Sequence, residues 1–128
     1  MEYVTSFKEL EVYKLSRQLS KEIFEISKKF PKEEMYSLTD QVRSSSRSIG
    51  AQVAEAWGKR RYEKHFISKL TDGDGEQFET QHWIEVALDC SYISSEVSNS
   101  LLRQCISIGN MLNSMIIKSA SFCNPKSK

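Results

Sequence analysis

The chain has 128 residues, enough for one hydrophobic core and too few for two ordinary domains. Its formal net charge is +1, so it is not a uniformly basic polyanion binder, and any anion recognition must come from local segregation of charge. No segment approaches the run of about 20 apolar residues that a bilayer span requires.

The opening MEYVTSFKELEVYK carries acidic residues and no apolar run, so it does not read as a secretory signal. A first helix is expected from about Leu10 to Phe30. Val12, Leu15, Leu19, Ile23, Ile26 and Phe30 recur at spacings of three and four, and Pro31 stops the pattern. Lys14, Arg17 and Lys21 form an outward basic row on this helix.

The second helix is the most informative segment. From Leu38 to Arg61 the chain reads LTDQVRSSSRSIGAQVAEAWGKRR, with Ser37 expected as its cap and Asp40 completing a capping box. Leu38, Val42, Ser45, Ile49, Val53 and Ala56 fall on one side as a core stripe. Arg43, Arg47, Gly50 and Ala54 fall on the other, a pair of arginines one turn apart followed by small residues. Gly58 reads as a left-handed cap, and Lys59, Arg60 and Arg61 follow at once. Such a face lets an anion or another backbone approach closely.

A third helix begins near Tyr62, with Phe66, Leu70, Ile84 and Leu88 on its core side. Thr71-Asp72-Gly73-Asp74-Gly75 interrupts it with two glycines, each costing about 1 kcal/mol relative to alanine in a helix. One continuous helix is nevertheless expected, because Gly73, Gln77, Ile84 and Leu88 share a face only if the phase runs through. The same string lacks the spaced ligands and the twelfth-position glutamate of a calcium loop.

Ser94 or Ser95 caps the fourth helix, whose stripe is Val97, Leu101, Cys105, Ile108, Leu112 and Met115. Between Val97 and Ile117 its only charged residue is Arg103, and Leu102, Ile106, Gly109 and Ile116 make a second apolar face. That face is covered either by the N-terminal segment around Tyr3, Val4 and Phe7 or by another subunit. Tyr13, Phe24, Phe78 and Val86 also lie off the main stripes, which favours a homo-oligomer.

Four amphipathic helices with short connections predict an all-α, antiparallel up-down-up-down four-helix bundle. The expected organisation is a single bundle domain over residues 1–123 followed by a polar tail, 124–128. Charge is segregated between helices. The second carries Arg43, Arg47, Lys59, Arg60 and Arg61, while the third carries Asp72, Asp74, Glu76, Glu79, Glu85 and Asp89. Either the two helices pair with each other, or the basic one binds phosphates.

Catalytic and metal-binding patterns are sparse. His65 and His82 have no placed nucleophile partner, and no phosphate-cradling glycine loop is present. Glu79-Thr80-Gln81-His82 matches one Glu-x-x-His element of a di-iron bundle, but that chemistry needs two, and the phase turns Glu79 and His82 away from the core. Cys90, Cys105 and Cys123 are odd in number and lack metal-ligand spacing, which predicts reduced thiols and a cytoplasmic protein. No enzyme, cofactor or metal is expected.

The order Phe7-Lys8-Glu9-Leu10-Glu11-Val12-Tyr13, Phe30-Pro31, LTDQVRSSSRSIGAQVAEAWGKR and FISKLTDGDGEQFETQHWIEVALDCSYI resembles the bacterial family encoded by intervening sequences within 23S ribosomal RNA genes. The likeness runs from Phe7 to about Met115 and is most specific at Gln41-x-Arg43, Ser48-Ile49, Ala54-Glu55-Ala56-Trp57-Gly58 and Glu79-Thr80-Gln81. Gln52 stands where the family usually has Asn, and Ala56-Trp57 where it commonly has Gly-Phe or Gly-Tyr. The resemblance extends to the accessory protein of diversity-generating retroelements, a strongly basic pentameric barrel that binds nucleic acid and a reverse transcriptase.

The resemblance implies a four-helix bundle and a homopentameric ring. Together with their placement off the core stripe, it points to RNA or DNA as a candidate partner of Arg43, Arg47, Lys59, Arg60 and Arg61. No membrane association is expected, since no segment is long and apolar enough. Gly50, Ala54, Leu102, Ile106, Gly109 and Ile116 are the expected subunit contacts. The alternative is a protein scaffold that binds no nucleic acid, its arginines engaged between subunits.

Overall fold

The computed structural model describes residues 4–123, so the expected tail at 124–128 and Tyr3 lie outside the described residues. Four long helices make up most of it: α1 (Glu11–Ser27), α2 (Asp40–Gly58), α3 (Glu63–Asp89) and α4 (Ser95–Ile117). A single turn, α5 (Ser119–Phe122), follows, and no strand occurs among the described residues. Each long helix packs on two others: α1 on α2 and α4, and α3 on α2 and α4.

The stripes enclose one core. Leu19, Ile49, Phe66, Leu70, Ile108 and Leu112 are fully enclosed, and Val53 and Ile84 nearly so. All six residues of the second stripe are buried: Val42, Ser45, Ile49, Val53 and Ala56 in α2, as the 3.6-residue period requires, and Leu38 in the turn that leads into it. In α3 the core side is carried at its last turn by Ala87, while Leu88 is only half-buried.

Two polar side chains of α3 inside the core are hydrogen-bonded, one of them across to α2. Thr80 Oγ1 in α3 donates to the Glu76 carbonyl at 2.8 Å and is hydrogen-bonded to the Ser45 hydroxyl in α2 at 2.9 Å. Gln77, 2% exposed, donates from Nε2 to Asp74 Oδ1 at 2.9 Å and accepts from Gln81 at 2.7 Å. Burying these amides without partners would cost about 1–3 kcal/mol each.

Helix α3 runs unbroken through the Asp-Gly-Asp-Gly string. Gly73 is buried there because α2 and α4 both come close: a Cβ would touch Gln52 at 3.5 Å and Leu112 at 3.6 Å. Gly75 faces open space and only adds backbone freedom to the unfolded chain. Gly75→Ala should therefore raise stability by about 0.5–1 kcal/mol, read as a higher urea midpoint with an unchanged slope.

Three expected boundaries are corrected. Helix α1 ends at Ser27 rather than Phe30, because Lys29 and Phe30 bond to carbonyls three residues back and tighten the chain before Pro31. Ser37 does not cap α2. A π-helical turn, Met35–Thr39, leads directly into that helix, and the Ser37 hydroxyl instead donates to Glu34 Oε1 at 2.8 Å. Gly58 is not left-handed: it is the last residue of α2, and Lys59 closes the helix at φ −105°.

The left-handed residue is Ser91, φ 61°, in the connection from α3 to α4. Ser94 does cap α4, accepting from the Val97 N–H at 3.1 Å. The loops 28–39 and 90–94 are joined by Tyr92, whose hydroxyl donates to Glu34 Oε2 at 2.9 Å and whose ring packs on Phe30. Hydrogen bonds from Ser37 and Tyr92 hold the Glu34 carboxyl below its usual range. The bond to Glu34 is also the main reason the Tyr92 phenol is pushed up to about 12.

Candidate nucleic-acid interface

The basic residues of α2 separate into two clusters. Arg43 and Arg47 sit in the middle of the helix, over α1. Lys59, Arg60 and Arg61 lie beyond its end, about 18 Å from Arg47 at 1.5 Å of rise per residue.

The first cluster is organised by a ring. Phe24 projects from α1 off the core stripe, and the guanidinium of Arg43 lies 4.6 Å from its centroid, that of Arg47 5.3 Å and the ammonium of Lys28 4.8 Å. Arg43 is half-buried and anchored: its Nε donates to Ser27 Oγ at 2.7 Å and its Nη2 to the Phe24 carbonyl at 3.4 Å. Arg47 is exposed and makes no such bond. From α1, Arg17 and Lys21 line the same shallow groove as Phe24 and Arg47. Lys28 is paired with Glu25 at 3.2 Å, and Lys14 with Glu11 at 3.6 Å. Among the described residues no carboxylate lies within ion-pair distance of Arg17, Lys21, Arg43 or Arg47.

A second groove continues along the seam of α1 and α2, lined by Phe7, Tyr13, Arg17, Arg47, Gly50 and Ala54 among others. Gly50 is buried here, and a Cβ on it would meet Ser16 Oγ at 3.2 Å and the Tyr13 ring at 3.7 Å. Its lack of a side chain is thus used by α1 of the same chain. Phe7 packs edge-on against Tyr13 at 4.9 Å, so this part of the N-terminal segment lies over α1 and α2.

The second cluster is interleaved with aromatic rings. The Arg60 guanidinium lies 3.5 Å from the centroid of the Trp57 ring, and its Nε donates to the Trp57 carbonyl at 2.8 Å. Arg61 lies 5.8 Å from the Tyr62 ring, which in turn meets His65 at 5.3 Å. Tyr62, His65 and Lys64 were not singled out from sequence as site residues. The signal was the alternation Trp57, Lys59-Arg60-Arg61, Tyr62, Lys64-His65.

The residues expected at a subunit contact are dispersed. Gly109 is buried beneath α3, where a Cβ would stand 2.9 Å from Gln77 Nε2, so its space is also filled from within the chain. Leu102 and Ile116 are half-buried against the core, and Ala54 is half-buried in the α1–α2 groove. Ile106 is 53% exposed, Phe78, expected off the main stripes, is 60% exposed, and Ile117 is 83% exposed.

Other candidate chemistry is accounted for by local partners. Glu79 accepts from Trp83 Nε1 at 3.1 Å, and His82 packs on the Trp83 ring; both are exposed. Among the described residues no three His, Cys, Asp or Glu side chains are grouped to hold a metal ion. Burial pushes the Cys105 thiol up to about 12, which removes its nucleophilicity near neutral pH. No described helix is long and apolar enough to cross a membrane.

Fold and surface together define an all-helical protein with a segregated basic face. The chain belongs to the 23S rRNA-intervening sequence protein family, whose model matches residues 8–114. It is also similar to a solved structure from Bacteroides thetaiotaomicron, described as a protein of unknown function from the S23 ribosomal protein family. That likeness has 28% identity and a TM-score of 0.76, covering 83% of this chain and 95% of the other. No curated protein matches the chain.

Proposed function

We propose that this protein is a non-enzymatic, cytoplasmic, homo-oligomeric accessory protein that binds nucleic acid through the basic faces of α2 and α1. Its four long helices form an up-down-up-down antiparallel bundle, which suits the connections 59–62 and 90–94 and the contact of each helix with two others. The observation that carries the binding reading is the set of cations without carboxylate partners. Arg17, Lys21, Arg43 and Arg47 lie on the α1–α2 side, and Lys59, Arg60 and Arg61 make a second group past the end of α2.

In this reading the subunits close into a ring, a homopentamer in keeping with the family resemblance. Unlike surfaces suit the head-to-tail contacts of a closed ring, and basic α2 and acidic α3 are such a pair. A ring repeats the basic face around one side, so a near-neutral chain presents a polycationic surface. Contacts of this type position a polymer without reading its bases.

The test replaces the exposed cations Arg47, Lys59 and Arg61 with glutamine. Binding to RNA and DNA oligonucleotides should weaken alike for every sequence, and the slope of log affinity on log salt should fall by about 2 to 3. Light scattering should show the assembly intact. If the variant binds oligonucleotides unchanged and dissociates into monomers, a protein scaffold replaces the nucleic-acid reading. Exposed Phe78, Ile106 and Ile117 are what favours that second reading.

A further inference from the structure

The turn from α2 to α3 holds an exposed ring in a fixed place. Tyr62 is 54% exposed, yet its backbone is tied at both ends: its N–H donates to the Lys59 carbonyl at 3.0 Å, and its carbonyl accepts from Phe66 at 3.0 Å. Phe66 in turn is fully buried and stacks on Phe122. The phenol ring is therefore displayed from a hydrogen-bonded corner, with the Arg61 guanidinium 5.8 Å from its centroid, and the His65 imidazole beside it, 5.3 Å away, adds a second flat surface.

The charges around this corner are available. Among the described residues Lys59, Arg61 and Lys64 have no carboxylate within ion-pair distance. The two acids closest in sequence are engaged elsewhere: Glu55 pairs with Lys69 at 3.0 Å, and Glu63 accepts the Ser119 hydroxyl. An exposed ring flanked by unpaired cations is the combination that holds unpaired bases, with stacking for the base and charge for the phosphate. A duplex hides the faces of its bases in its own stack and gains nothing from the ring.

We propose that the nucleic acid bound at this site is single-stranded, with bases stacking on Tyr62 and His65 while Lys59, Arg61 and Lys64 hold the adjoining phosphates. This rests on the nucleic-acid reading above and names the form of ligand that the site takes.

The experiment compares an oligonucleotide of about 12 nucleotides with its blunt duplex by fluorescence anisotropy at low salt. Wild type, Tyr62→Ala, Tyr62→Phe and His65→Ala are measured, with circular dichroism confirming helical content. The wild type should prefer the single strand. Tyr62→Ala should lose about 5- to 100-fold in single-strand affinity, His65→Ala a smaller factor and Tyr62→Phe little, while duplex affinity stays constant. Equal affinity for both forms, or an unchanged Tyr62→Ala variant, overturns single-strand stacking and leaves the binding reading standing. Binding to neither form overturns both.

Discussion

Ile49→Ala should lower the unfolding free energy by about 2–5 kcal/mol, the largest loss expected from any single truncation in α2. Ile49 is fully enclosed at the centre of that helix's core stripe. It lies beside Gly73, whose Cβ position is 3.9 Å from the Ile49 carbonyl, so α2 and α3 pass close to each other here. The cost within that range depends on how far the surrounding helices relax into the space left by the missing carbons. Urea unfolding followed at 222 nm measures it, and a change in midpoint without a change in slope identifies a pure stability effect. A loss below about 1 kcal/mol would mean that the site is not packed as described.

Gly109→Val should also be strongly destabilising, for the opposite reason. A Cβ alone would stand 2.9 Å from Gln77 Nε2 and 3.3 Å from Asp74 Oδ1. Gln77 cannot swing away without cost, because Asp74 and Gln81 hold its amide and it is 2% exposed. Forcing branched carbons into that seam should cost about 1–3 kcal/mol in overpacking, and a displaced amide a similar amount if it stays buried without partners. The double variant with Gln77→Ala separates the two terms. If the clash with Gln77 is the cause, the second substitution recovers part of the loss; strictly additive losses would place the strain elsewhere.

Much of the helical content was legible in the chain. Repeating apolar residues at three and four positions located the four long helices; in α2 the stripe named Val42, Ser45, Ile49, Val53 and Ala56, all buried, but not Ser46 and Gly50, which are buried too. The continuity of α3 through Gly73 was expected from phase, because Gly73, Gln77, Ile84 and Leu88 share a face only in an unbroken helix; the first three are buried and Leu88 is half-buried. Helix ends were less legible. Ser37 and Gly58 are ordinary end signals, yet the π-helical turn before α2 and the unbroken helical geometry at Gly58 displaced both roles. Such signals express local preferences of a few tenths of a kcal/mol to about 1 kcal/mol, which packing of the flanking helices overrides.

The candidate site divides the same way. By itself the sequence determined that positive charge gathers on α2 and negative charge on α3, because residue type and helical phase are local properties of the chain. Only the tertiary structure decided which of those charges are available. It set Arg43 over Phe24 and Ser27 of α1, closed Arg60 onto Trp57, and left Arg47, Lys59 and Arg61 facing outward. It also gave Gly50 and Gly109 to close approach between helices of the same chain, a use that sequence cannot distinguish from a contact with another subunit. The physical reason is that a side chain's partners depend on distances between helices, and no periodicity within one helix encodes them.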